Sequence, residues 1–127
     1  MRKVVYLFVM VITLLVLYTG CGINGEKSPS ATVEAAYMAA NDGKYSEAEK
    51  YLSSEFINAQ KTGVVVLKGV WDLATRNGTI QKIEILKEEV GGEEATVYIK
   101  LYFKDGSTKE DCEPLIKENG VWKITAG

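Results

Sequence analysis

The stretch from Glu89 to Ile124, "EVGGEEATVYIKLYFKDGSTKEDCEPLIKENGVWKI", alternates apolar and polar residues between three dipeptides, Gly91-Gly92, Asp105-Gly106 and Asn119-Gly120. A period of two marks strands with one buried face. Each dipeptide supplies the positive φ that tight hairpin turns demand. With "TIQKIEILKEEV" (Thr79–Val90) ahead of it, the pattern predicts four strands joined by three hairpins, an antiparallel meander.

Alternation also assigns faces. Val97, Ile99, Leu101 and Phe103 point one way, and Tyr98, Lys100, Tyr102 and Lys104 the other. A two-residue turn at Asp105-Gly106 sets Cys112 opposite Ile99 and Asp111 opposite Lys100. Glu110 then shares the inner face with Leu101 and Cys112, and Cys112 packs as a small hydrophobe. Leu115 breaks that parity, so a bulge at Pro114 is expected to restore it. An odd-length, bulged loop at Gly91-Gly92 is needed to keep Ile83 and Ile85 inward.

Upstream the period changes to that of a helix. "TVEAAYMAAN" (Thr32–Asn41) places Val33, Ala36, Tyr37 and Ala40 on one stripe, with Pro29 suited to a first turn. "YSEAEKYLSSEF" (Tyr45–Phe56) predicts a second helix with Ser46 and Glu49 as a capping box. "TGVVVLKGVWDLATRNG" (Thr62–Gly78) mixes strand-favouring valines with helical spacing of Val66, Val70, Leu73 and Ala74. We read it as a third helix.

The N-terminus has a different character. Met1-Arg2-Lys3 is basic, Val4–Leu17 carries no charge, and small residues follow. That order describes a secretory signal peptide, and the run is short for a membrane span, which needs about 20 apolar residues. "LYTGC" (Leu17–Cys21) resembles the lipobox of bacterial lipoproteins, with Tyr18 departing from the usual leucine. The resemblance implies that Cys21 takes a diacylglyceryl thioether and becomes the N-terminus, which ties the protein to a membrane through acyl chains. The other reading is an ordinary signal peptide and a Cys21–Cys112 disulfide. The expected organisation is a signal peptide over 1–20, a lipidated N-terminus and tether over 21–29 ("GINGEKSPS" spans Gly22–Ser30), and one domain over 30–127, exported to the cell envelope.

Composition narrows function. Without Arg2 and Lys3, thirteen basic residues face seventeen acidic ones, a net charge of −4. With no basic patch, nucleic acid is not an expected partner. The chain has no histidine, so histidine proton transfer and histidine metal sites are excluded. No cofactor is expected.

Helices followed by a curved four-strand meander, carried by "AAYMAANDGKYSEAEKYLSSEF" and the closing "PLIKENGVWKI", resemble the nuclear transport factor 2-like (SnoaL-type) α+β cone. Within it the chain looks like bacterial lipoproteins with a lumazine-binding-like domain of unknown function. The resemblance implies N-terminal helices packed on a four-stranded sheet with a pocket between them, and it names no activity.

Candidate residues follow. Tyr37, Tyr51, Trp71, Phe103 and Trp122 are either pocket lining or plain core. Glu110 is a candidate inward carboxylate, whereas Asp72 and Glu84 read as solvated. Tyr98, Lys100 and Tyr102 form an outward stripe that would suit a homodimer or another partner. Glu88, Glu89, Glu93 and Glu94 crowd one turn without the ligand spacing of a cation loop. Two functions stay open: a non-enzymatic module binding an apolar small molecule or an envelope protein, and a pocket enzyme of isomerase or dehydratase type.

Overall fold

The computed structural model describes residues 27–59 and 64–126. The expected signal peptide, Cys21 and most of the tether lie outside them. Among the described residues four helices precede four strands: α1 (Pro29–Asn41), α2 (Tyr45–Glu49), α3 (Ser54–Ala59), α4 (Val64–Thr75), β1 (Ile80–Gly91), β2 (Glu94–Phe103), β3 (Thr108–Glu118) and β4 (Val121–Ile124). The strands form one antiparallel sheet in sequence order, as the hairpin dipeptides predicted. Among the described residues no helix is long and apolar enough to cross a membrane.

Helix α1 begins where Ser28 accepts the Ala31 N–H through its side chain, with Pro29 in the first turn. Glu88 of β1 adds a second cap, accepting from the Ser30 N–H at 2.9 Å and the Ser30 hydroxyl at 2.8 Å. A carboxylate at that end also complements the helix dipole. Glu88 thus works as a tie between α1 and β1. At the other end of α1, the Asn41 amide bonds both the N–H and the carbonyl of Ile80, at 3.0 and 3.1 Å, so the helix exit is stitched to the start of β1.

The core lies between α1 and the inner sheet face. Val33, Ala36, Tyr37 and Ala40 of α1 meet Val97, Ile99, Leu101 and Phe103 of β2, with Leu115, Trp122 and Ile124 beyond. The inner stripes of α1 and β2 are those expected from periodicity.

Three expectations are corrected. The segment 45–56 is two short helices, and Ser46 caps nothing: the N-cap of α2 is Lys44, without a side-chain bond. The break arises because Leu52 bridges Ile124 in parallel, with Ser53 N–H donating to the Ile124 carbonyl at 2.7 Å. Ser53 then caps α3 through the Phe56 N–H. Pairing with the sheet outweighs helix continuity here.

The second correction concerns the β2–β3 turn. Tyr102 pairs with Thr108, and the Phe103 N–H donates to the Ser107 carbonyl. Lys104-Asp105-Gly106 is therefore a three-residue turn, with Gly106 at φ 86°. One extra residue inverts every side chain of β3. Cys112 lies opposite Tyr98, exposed on the outer face, and is not a packed thiol. Leu115 falls inward opposite Ala95 with no register break, so no bulge forms at Pro114.

Third, the β1–β2 connection is a tight turn at Gly92-Glu93, since Gly91 pairs with Glu94. Parity is restored inside β1, where the register shifts between Ile85 and Lys87 and again between Ile80 and Lys82. The first bulge returns Ile83 and Ile85 to the inner face, the second does the same for Ile80, and both bend the sheet.

Candidate functional site

A cavity of about 350 Å³ opens between the helices and the inner face of β3. Its apolar wall comprises Leu52, Phe56, Trp71, Ala74 and Ile124, with Val70 and Leu73 at the rim; its polar wall is Lys109, Asp111 and Glu113, with Tyr37 between the two. The polar wall follows from the three-residue turn, which sends the odd-numbered residues of β3 inward.

Tyr37 is the hinge of the site. Its hydroxyl donates to the Glu113 carboxylate in a short hydrogen bond, and its ring meets Trp71 edge-on, with centroids 5.4 Å apart and planes at 82°. Burial, and then the Glu113 charge, hold the phenol well above the usual tyrosine range. Burial also raises the Glu113 carboxyl, and Asp111 adds to this, while the Tyr37 hydrogen bond and Lys109 oppose it. Asp111 is paired with Lys109 at 3.5 Å. The Trp71 indole N–H is buried and has no acceptor among the described residues.

The expected pocket aromatics separate. Tyr37 and Trp71 line the cavity. Phe103, buried under the Arg76 guanidinium at 4.6 Å, and Trp122, stacked beneath Lys117 at 5.2 Å, belong to the core elsewhere, and Tyr51 packs against its margin. Glu110 pairs with Lys100 on the outer face and is exposed. Asp111 and Glu113 take the inward place expected for it. Their signal was present in the sequence: counting back by twos from Leu115 reaches both without invoking a bulge.

Asp72 is not simply solvated. It accepts from Tyr45 at 2.5 Å and pairs with Lys68 at 2.6 Å, and those two bonds, Lys68 first, hold its carboxyl below the usual range. Tyr98, Lys100 and Tyr102 do lie on the outer face, where Lys82 and Lys100 approach the Tyr102 ring at 5.2 and 5.4 Å, Lys87 the Tyr98 ring at 5.9 Å, and Glu84 accepts from Tyr102. Among the described residues no group of three or more Cys, Asp or Glu side chains is arranged to hold a metal ion.

The outer edge of β3 is only partly covered. β4 pairs with Leu115–Glu118 alone, and its last link is the Thr125 N–H to the Pro114 carbonyl at 2.9 Å.

A family model described as a domain of unknown function (DUF4878) matches residues 19–125. No curated protein matches the sequence. Among solved structures, a Campylobacter jejuni protein provisionally described as an NTF2-like transpeptidase superposes with TM-score 0.66 at 12% identity, covering 80% of this chain and all of its own. An NTF2-like protein of unknown function from Shewanella baltica gives 0.56 at 14%, covering 76% and 86%. A designed NTF2-fold protein gives 0.52 at 20%, covering 80% and 86%. These likenesses establish the cone fold, and the chemistry rests on the cavity.

Proposed function

The chain belongs to the DUF4878 family, and we propose that it is a membrane-anchored binding module whose cone cavity holds a small, largely apolar ligand. The cavity carries the reading: aromatic and aliphatic side chains enclose it on one side, and a few fixed polar groups stand on the other, the composition of a ligand pocket. Those polar groups are held in place, Tyr37 to Glu113 and Lys109 to Asp111, so they orient an occupant at little ordering cost. Anchoring is supported by the basic start, the apolar run and "LYTGC"; acylated Cys21 would hold the domain at the membrane surface of the envelope.

A second reading has one observation in its favour. The raised proton affinity of Glu113 beside Tyr37 suits a general acid or base, as a small pocket enzyme of isomerase or dehydratase type would need.

The test uses N-phenylnaphthylamine, a neutral dye that brightens in apolar sites, with the full chain in a non-ionic detergent. Saturable binding lost in Ala74→Phe, whose side chain fills the cavity, supports the module. Equal binding by a folded Ala74→Phe variant overturns it.

A further inference from the structure

We infer that the cavity's occupant is a side chain carried on an extended, basic peptide, which adds as a strand to the open edge of β3 at Glu110 and Cys112. This rests on the cavity reading above and names the partner.

The backbone supplies the first ground. N–H and C=O groups alternate sides along a strand. The Pro114 carbonyl points toward β4, since it accepts from Thr125, so the backbone groups of Cys112, Glu110 and Thr108 point the same way. β4 does not reach them. The Cys112 N–H is held by the neighbouring Asp111 carboxylate at 2.9 Å, a local bond that an incoming carbonyl can replace. Among the described residues no strand pairs with the remaining groups, and such a row is a template for strand addition.

The second ground is the match between edge and cavity. Lys109, Asp111 and Glu113, the residues interleaved with the edge groups, are the polar wall of the cavity. A strand about 4.8 Å away runs along the cavity's opening and directs every second side chain toward it. Across the gap, α4 leaves Val70 41% and Leu73 81% exposed at the rim. Apolar side chains held out beside an open edge are what an added strand would cover.

Charge selects the partner. Glu110 lies opposite Lys100, and Asp111 pairs with Lys109, so with Glu113 the carboxylates of this edge outnumber its cations among the described residues. A second copy would set this acidic edge against itself, whereas a basic segment complements it.

The experiment uses the full chain in non-ionic detergent and the peptide acetyl-KTKLKT-amide. Two analogues each carry N-methyl groups along one of the peptide's two edges, and acetyl-ETELET-amide reverses the charge. Strand addition predicts saturable binding and slowed amide exchange at Glu110 and Cys112. One methylated analogue should bind about tenfold weaker, the scale of one or two lost hydrogen bonds, and the other as the parent does. The acidic peptide should not compete. Equal binding by both methylated analogues, equal binding by the acidic peptide, or protection confined to other amides overturns the inference. Slow exchange at both amides before any peptide is added also overturns it, because the edge is then filled by a second copy or by the chain's own residues. If no peptide binds while N-phenylnaphthylamine still does, the strand inference fails and the cavity reading stands. If neither binds, both fail.

Discussion

The Tyr37 hydroxyl of α1 donates to the Glu113 carboxylate of β3, and through that contact the first helix and the third strand define the two sides of one cavity. The bond is internal to the site and half-buried, so it bears on stability and on the charge of the cavity together.

Removing the donor leaves a desolvated carboxyl without its partner. Tyr37→Phe should lower stability by about 1–3 kcal/mol, read by urea denaturation. Adding Glu113→Gln should recover part of the loss, since the orphaned charge is gone. A double variant whose stability change equals the sum of the two single changes would mean that the two groups do not act as a pair.

The Glu113 carboxyl has a raised pKa in the folded protein, so the folded state binds its proton more tightly than the unfolded chain does. Its contribution to stability is complete below the unfolded value of 4.5 and is lost as pH rises through the higher folded value. Glu113→Gln should therefore raise the melting temperature at pH 7 relative to the parent, with the advantage shrinking toward pH 4. An advantage that grows on acidification would contradict the burial.

The register of β3 places Cys112 outward and exposed. A maleimide should label it in the folded protein at a rate close to that in denaturant, with the site mapped by peptide mass. Labelling only after unfolding would instead fit the two-residue turn and an inward thiol.

Leu115 is buried at the junction of β2, β3 and β4. Leu115→Ala should cost about 2–5 kcal/mol through lost burial and a residual void. Gly78 is at φ +84°, and a Cβ there would approach the Asn41 carbonyl to 2.9 Å. Gly78→Ala should thus destabilise the α4–β1 turn, while Gly43→Ala, with open space around it, should cost only the strain of its positive φ.

Much of this architecture was legible from period and punctuation. The strands lie within a residue or two of the runs between the glycine dipeptides, and the inner stripes of α1 and β2 are those that spacing assigns. What the sequence concealed was parity. Asp105-Gly106 serves a two-residue or a three-residue hairpin equally well, and a single residue decides whether Glu110 or Glu113 looks into the cavity. The split at Leu52 was hidden for a different reason, since "EKYLSSEF" has ordinary helical spacing and only the edge of β4 pulls it straight. The capping role of Glu88 depends on two segments 58 residues apart, and no local pattern reports it.

The most direct test of an occupied cavity is native mass spectrometry of the full protein extracted from the membrane of its own cell, compared with Ala74→Phe prepared alike. An anchored module with a filled cavity predicts a Cys21-acylated chain carrying an adduct in the parent, with the acyl mass retained and the adduct lost in the variant. Identical adduct patterns in the two, with circular dichroism showing both folded, would contradict it.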